Sequence, residues 1–219
     1  MVKTYSLKAD REKHLSKDIQ VFECACPDGS DTVLVDDQLV IFGQTIRDYF
    51  GFPIYIDGYR TDSYNAAIGG VSDSDHITGR AWDIDVGRAA QAVPARTVAM
   101  CAEAIGVKRI GLYIYGNGQS WIHIGSVPEK LFWFDSAPGK RTRPDTFLPE
   151  LRKTSMIWQN RYEVSVMQDI LARKGFYTDV NDGKFWTNTR TAVIAFQHKN
   201  GLVEDGIVGP KTWRALFTK

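Results

Sequence analysis

Long apolar segments are absent from this chain of 219 residues. No run approaches the roughly 20 apolar residues that a membrane-spanning helix needs. The N-terminal stretch is mixed in charge and has no apolar core of the kind found in secretory signals. We therefore expect the chain to be made in the cytoplasm, without membrane insertion, and any export to use another route.

Cysteine is also scarce, with only Cys24, Cys26 and Cys101. Cys24 and Cys26 are too close in sequence for an easy disulfide, and the chain has no further pair to complete a four-thiolate zinc site. We therefore expect buried or chemically idle thiols.

Neither sign of charge is in large excess, because 27 Lys and Arg stand against 26 Asp and Glu. The distribution is uneven: residues 1–150 carry 16 basic and 20 acidic side chains, whereas residues 151–219 carry 11 and 6. The basic C-terminal third suggests a polyanionic partner such as a bacterial wall or nucleic acid. A basic surface that is merely solvated explains the same composition equally well. Its basic residues are dispersed, so we do not expect nucleic-acid binding.

Hydrophobic spacing predicts two helices and a strand in the first half of the chain. Apolar residues at helical intervals predict a helix over 36–50, ended by Gly51. Alternation over 53–60 predicts a strand. A helix is also expected over 94–105, with a proline in its first turn and Gly106 at its end.

A hairpin is predicted where the apolar runs 109–115 and 121–125 flank an Asn117-Gly118 turn. Strand alternation puts His123 on the face opposite its two isoleucine neighbours. That placement suits a metal ligand held over a packed sheet, but the hairpin by itself favours a satisfied histidine in a half-buried strand.

Composition shifts to Pro, Gly, Asp and basic residues over 134–153, which indicates a linker or a long surface loop. We accordingly predict a first domain over 1–135, a linker over 136–155 and a second domain over 156–219.

The second domain contains an internal repeat. A segment that starts at Asp182 recurs 23 positions later from Asp205, each copy reading as an Asp-Gly turn followed by a short helix. An amphipathic helix over 164–174 supplies the rest of a small three-helix bundle. His198 stands alone there, so we expect this domain to bind rather than to catalyse.

The residues that carry chemistry lie earlier. His76 and Asp83 stand seven positions apart with Gly79 between them, and His123 follows about forty residues later. Imidazole and carboxylate are ordinary zinc ligands, and a catalytic zinc site uses three protein ligands and one open position. Arg60 begins the loop to His76 and could hold a developing oxyanion or a substrate carboxylate. The same ligands accept Co, Ni or Mn.

These motifs together resemble a known family. The chain contains, in this order, the motifs GYR, N, GG, SxHxxGxAxD and a GxY…H hairpin. This series resembles the motifs of the zinc D-Ala-D-Ala carboxypeptidases, which share the hedgehog N-domain fold. The resemblance covers roughly residues 20–130 and implies an α+β fold, with a small antiparallel sheet and flanking helices. It implies His76, Asp83 and His123 as zinc ligands, Arg60 as a catalytic substrate contact, and a cleft lined by Ser74, Tyr115 and Trp121.

The C-terminal segment resembles the three-helix peptidoglycan-binding domain of wall hydrolases, most specifically from Phe196 to Trp213. It departs from that family at Trp186, where the first repeat tends to have a glycine. Trp186 is therefore a candidate for stacking on a sugar, with a core position as the alternative.

The two resemblances together imply a monomeric enzyme of the bacteriophage endolysin type, or an exported bacterial autolysin, acting on peptidoglycan. The bond cut stays open among D-Ala-D-Ala carboxypeptidase, D,D-endopeptidase and L-Ala-D-Glu endopeptidase action. Family members often carry an acid near the last zinc histidine, where this chain has Ser120 and Gly125. The candidates for the general acid or base are Asp75, Asp85 and His14. A non-catalytic wall-binding or structural phage protein is the alternative.

Overall fold

The computed structural model of the chain describes residues 1–51, 53–85, 93–153 and 160–218. They form two compact units, Met1–Asp145 and Thr146–Lys219. Each unit has its own apolar core, so each is described by itself.

The first unit contains a two-stranded sheet and a six-stranded sheet. Strands β1 (Val2–Ser6) and β2 (Thr32–Asp36) pair antiparallel. The remaining strands are β3 (Tyr55–Asp57), β4 (Ala81–Asp85), β5 (Arg109–Ile114), β6 (Ser120–Gly125), β7 (Leu131–Asp135) and β8 (Arg141–Thr142). Across the larger sheet their order is β3-β4-β6-β5-β7-β8.

All neighbours in the larger sheet are antiparallel except β5 and β7. The chain leaves β6 and returns along the far edge of β5, so β7 runs in the same direction as β5. The predicted α+β class is confirmed, and the expected antiparallel sheet is mixed at this one pair.

The described part of the first unit contains the α-helices α1 (Leu7–Asp10), α2 (Asp37–Phe50), α3 (Asp62–Ala67) and α4 (Ala95–Ala104). The helices predicted over 36–50 and 94–105 are confirmed within one residue at each end. Helix α2 begins where the Asp36 side chain accepts a hydrogen bond from the backbone of Gln38, and it ends at Gly51 in the left-handed conformation.

The strand predicted over 53–60 is shorter, because only Tyr55–Asp57 pairs with β4. Beyond it the chain turns away from the sheet: the Tyr59 N–H donates to the Cys24 carbonyl instead. Gly58 permits this close passage, since a Cβ there would lie 2.7 Å from the same oxygen. The turn delivers the following residues to the open face of the sheet.

One face of the larger sheet is the core of the first unit. Ile84, Ile110, Ile122 and Ile124 are fully buried, and α4 packs against β5 and β6. All three cysteines are buried thiols, and burial raises the pKa of Cys101 to about 12. The opposite face of the sheet is left for polar and aromatic side chains.

The helices in the described part of the second unit are α5 (Arg161–Arg173), α6 (Thr187–Lys199) and α7 (Pro210–Leu216). The internal repeat is visible in its backbone. Gly183 and Gly206, at equivalent positions, have φ angles of 67° and 69°, which only glycine adopts readily. Helices α6 and α7 start at equivalent positions after those turns, as the repeat predicts.

Two buried glutamines hold the repeated turns, a feature that the sequence analysis did not anticipate. The Gln168 side chain accepts from the Gly183 N–H at 2.9 Å, and its amide donates to the Lys184 carbonyl. Gln197 makes the same contacts with Gly206 and Ile207. Each glutamine side chain thus supplies hydrogen bonds that the backbone of the tight turn does not make with other backbone groups.

We expect Gln197→Ala to destabilise the second unit by about 2 kcal/mol, because it leaves the buried Gly206 N–H without its partner and removes one of two side-chain donors to the Ile207 carbonyl. Faster amide hydrogen exchange in α5–α7, measured by mass spectrometry, would show the loss. His198→Ala is the matched control, since His198 is exposed and pairs only with Glu204 among the residues described. Equal exchange in both variants would contradict the structural role.

The predicted linker over 136–155 is divided between the two units. Its first part includes β8, which pairs with β7. Its later part buries Phe147, Leu148 and Leu151, and Leu151 forms a β-bridge with Val208. These scattered apolar residues have no helical or strand period, which is why composition alone indicated a loop. Residues 154–155 and the start of the predicted second domain lie outside the described residues.

None of the helices in the described part of the chain has the length and apolar composition to cross a bilayer.

Candidate metal centre

A single row of residues crosses the open face of the larger sheet. Strand register places Asp57, Asp83, His123, Gly111 and Trp133 side by side on β3, β4, β6, β5 and β7. Residues at aligned positions point to the same face, so the row brings a carboxylate and an imidazole from neighbouring strands together. Two of the three predicted zinc ligands are therefore cross-strand neighbours.

The third predicted ligand, His76, reaches the row from the loop after α3. Successive turns shape this loop: Ile77 N–H donates to the Ser74 carbonyl, and Gly79 N–H donates to the His76 carbonyl. Gly79 has a φ of +68°, and a Cβ there would lie 2.6 Å from the Leu34 backbone. Only glycine fits this position, so the loop between two predicted ligands depends on Gly79 for its shape.

The three ligand atoms form a small triangle. His76 Nε2 lies 3.3 Å from His123 Nδ1 and 3.4 Å from Asp83 Oδ1, and His123 Nδ1 lies 3.0 Å from that oxygen. Ligands bound about 2.0–2.1 Å from a tetrahedral zinc lie about 3.3–3.4 Å from one another. The donor set and its spacing therefore fit one divalent ion.

Hydrogen bonds orient the ligands for this role. The His76 Nδ1–H donates to the Gly58 carbonyl at 2.7 Å, which leaves the Nε2 lone pair facing Asp83 and His123. Burial raises the pKa of Asp83, but contacts with His123 and His76 outweigh it and hold that pKa well below its usual value. Burial lowers the pKa of His123 against the opposing effect of Asp83. Carboxylate and neutral imidazole are the forms that bind a metal.

Arg60 lies beside this triangle, and its guanidinium bridges two carboxylates. Its Nη2 donates to Asp83 Oδ2 at 2.5 Å and to Asp57 Oδ2 at 2.6 Å. Asp83 thus presents Oδ1 to the histidines while Arg60 holds Oδ2. The sequence analysis expected Arg60 to contact substrate; the structure gives it a second task, that of orienting a predicted ligand.

A cleft of about 590 Å³ opens beside the triangle. This volume lies within the range of about 300–1,000 Å³ that is usual for ligand sites in proteins. Its lining comes from β3, β4 and the β5–β6 hairpin: Tyr55, Ile56, Asp57, Arg60, Asp83, Asp85, Gly118, Gln119, Ser120 and Trp121.

The other residues predicted to contact substrate or cell wall lie in different parts of the structure. Trp121 lines the cleft, and Tyr115 packs edge-on against it with ring centroids 5.2 Å apart. The Ser74 hydroxyl accepts a hydrogen bond from the His76 backbone at 3.4 Å. Trp186 belongs to the second unit, where 44% of its surface is exposed.

The predicted proton-transfer candidates are placed as follows. Asp85 lines the cleft. Asp75 forms an ion pair with Arg109, whose side chain lies so close to Gly125 that a Cβ there would meet it at 3.0 Å. The ring of His14 contacts Ser16 and Gln20 rather than any of the predicted ligands.

Three residues of the site were given no role in the sequence analysis: Asp57, Trp133 and Tyr113, the last being the tyrosine of the GxY motif. Trp133 lies over Gly111, where a Cβ would come within 2.4 Å of the indole, and its ring centroid is 5.1 Å from that of His123. Tyr113 stacks on Trp121. Alternation along the hairpin could have placed Tyr113 on the face of His123, but β7 carries no turn signal that would indicate its parallel pairing.

Two family models match separate parts of the chain. Residues 15–125 match the family model for peptidase M15, and residues 160–216 match that for a peptidoglycan binding domain. A stretch of 55 residues is 42% identical to a protein named N-acetylmuramoyl-L-alanine amidase CwlM, from Mycobacterium tuberculosis. That match covers 25% of this chain and 14% of the relative, so the chain spans only a small part of that relative's length. The M15 match spans half of the chain and contains all three ligand candidates, and the chain therefore belongs to the peptidase M15 family.

Proposed function

We propose that the chain is a zinc-dependent hydrolase that cuts peptide bonds in the stems or cross-links of bacterial peptidoglycan. The observation that carries this proposal is the triangle of His76, Asp83 and His123 beside an open cleft. Membership of the M15 family and the match to a peptidoglycan binding domain support the substrate class.

The side chains of the site have distinct tasks in such a reaction. A zinc ion held by the triangle would lower the pKa of water and polarise a carbonyl. Arg60 fixes the rotamer of Asp83, and the Gly58 carbonyl fixes the tautomer of His76. The walls of the cleft, including Trp121, hold the peptide in place and exclude bulk water.

Among the three candidate bonds, we favour an endopeptidase cut. A carboxypeptidase needs a cation for the free carboxylate of its substrate. Among the described residues that line the cleft, Arg60 is the cation, and Asp57 and Asp83 already neutralise it. This charge balance supports a neutral internal peptide over a terminal carboxylate.

The second unit would hold the enzyme on its insoluble substrate. Its exposed Trp186 offers a flat apolar surface of the kind that stacks on sugars. A peptidase joined to a wall-binding unit is the arrangement of an endolysin, and we propose the bacterial wall as the place of action.

A second candidate function is a wall-binding protein without catalysis. It is favoured by Ser120 and Gly125, which stand where the resembling enzymes often carry an acid. Such a protein would bind peptidoglycan and leave it intact.

A digest of purified peptidoglycan separates the two functions, with soluble products read by mass spectrometry. One sample contains zinc and a parallel one contains a chelator. We expect new peptide termini only in the zinc sample, and their masses identify the bond. Wall that binds the protein and stays uncut in both samples would contradict the enzyme and support the binding protein.

A further inference from the structure

In peptide hydrolysis a hydrogen-bond donor can stabilise the substrate's carbonyl oxygen beside a metal ion that polarises it. That oxygen becomes negative when the water oxygen adds to the carbonyl carbon, and a fixed donor stabilises it. Arg60 was the expected donor, but its Nε and Nη2 groups are engaged by Asp57 and Asp83. A donor on the other side of the ligand triangle would be free to stabilise the carbonyl oxygen.

Tyr113 lies on that flank. It belongs to β5, whereas Arg60 follows β3, and the ligand-bearing strands β4 and β6 lie between them. The Tyr113 ring stacks on Trp121, with centroids 4.5 Å apart and planes 8° apart. It also meets Trp133 edge-on at 6.4 Å. Contacts on two sides fix the ring, so the direction of its hydroxyl is fixed as well.

The hydroxyl of Tyr113 is held as a donor. Trp133 Nε1–H donates to its oxygen at 2.9 Å, and Trp133 in turn packs on His123. In the described part of the chain, no acceptor receives the hydroxyl proton of Tyr113. A hydroxyl that accepts from a fixed N–H and keeps its own proton unused is ready to donate it.

Burial raises the pKa of Tyr113, and the negative charge of Asp83 adds to that effect. The hydroxyl therefore stays protonated at neutral pH. Tyr113 lies two residues along β5 from Gly111, the cross-strand neighbour of His123, so its side chain is on the same face of the sheet as the ligand triangle.

We infer that Tyr113 is a catalytic residue that donates a hydrogen bond to the carbonyl oxygen of the scissile peptide. This assignment rests on the proposed hydrolytic function and adds a residue to it. Trp133 is a positioning residue, because it acts through the Tyr113 oxygen.

The step balances without an added reagent. The water oxygen bonds to the carbonyl carbon, and one water proton passes to the leaving nitrogen as the C–N bond breaks. The carbonyl oxygen gains negative charge and then returns to a double bond. Tyr113 donates a hydrogen bond throughout and keeps its proton.

Tyr113→Phe tests the assignment, because it removes only the hydroxyl and retains the ring that stacks on Trp121. We expect kcat on peptidoglycan peptides to fall about 10²-fold with KM nearly unchanged, since the lost contact forms mainly in the transition state. Bound zinc should equal that of the wild type. Tyr5→Phe is the matched control, because Tyr5 lies on β1 in the separate two-stranded sheet.

A second readout does not depend on turnover. A phosphinate that replaces the scissile peptide carries a negative oxygen where the carbonyl oxygen would be. Calorimetry should show about 10- to 100-fold weaker phosphinate binding to Tyr113→Phe than to the wild type. An active wild type with an equally active, equally tight-binding Tyr113→Phe would overturn the assignment alone. A wild type that cuts nothing would overturn the proposed function and this assignment with it.

Discussion

His123→Ala should abolish metal binding and with it the hydrolysis of peptidoglycan. It removes one corner of a triangle whose atoms lie 3.0–3.4 Å apart, so the two remaining ligands cannot close a three-ligand site. We expect the rate to fall by roughly 10³-fold or more, because the water at the site then regains a pKa far above neutral. Zinc content by elemental analysis and product release by mass spectrometry measure the two effects.

The matched control for this variant is His198→Ala. His198 is exposed, lies in the second unit and pairs with Glu204. Its replacement should leave both the zinc content and the rate at the wild-type level. If His123→Ala kept its zinc and its activity, the metal centre would have to involve other residues.

Replacement of Arg60 should produce the second largest effect, through the metal as well as through the rate. Arg60→Lys keeps the positive charge but cannot bridge Asp57 and Asp83 with a planar fork. Asp83 then loses the contact that holds Oδ2, so we expect about 10- to 100-fold weaker zinc binding and a parallel loss of activity. Competition with a colorimetric chelator measures the affinity.

The same variant separates two roles of Arg60. If Arg60 only contacted a substrate carboxylate, Arg60→Lys would raise KM and leave zinc affinity unchanged. Arg173→Ala is a suitable control, because Arg173 forms an exposed pair with Asp169 on α5. Unchanged zinc affinity in Arg60→Lys would therefore contradict the orienting role.

From the sequence, the metal centre was indicated mainly by the resemblance of the motifs to those of the zinc D-Ala-D-Ala carboxypeptidases, because ligand chemistry and strand alternation alone left a satisfied histidine open at His123. Imidazole and carboxylate types marked His76, Asp83 and His123, and alternation placed His123 on one face of its strand. Their convergence depends on features that are not local. The register of β4 against β6 sets Asp83 beside His123, and the turn at Gly79 brings His76 over them.

Contacts that depend on pairing between distant strands could not be predicted in the same way. Asp57 meets Arg60 because both flank the turn that ends β3, yet the bridge to Asp83 requires the β3–β4 register. Trp133 reaches His123 only because β7 lies parallel to β5 across Gly111. Short strands joined by irregular loops carry no sequence signal for such register.

In the second unit, the repeat predicted the turns and the helices that follow them. The buried roles of Gln168 and Gln197 were not predicted, because a glutamine on a helix is usually exposed. Only the geometry of the turns shows that each side chain completes the hydrogen bonds of a glycine N–H and a neighbouring carbonyl.

The most direct test of the metal centre is native mass spectrometry of the whole chain with equimolar zinc, beside the Asp83→Ala variant. The triangle of His76, Asp83 and His123 predicts one zinc ion on the wild type and none on the variant. A wild type that takes up no zinc, or a variant that binds it equally well, would contradict the metal centre on which the proposed chemistry depends.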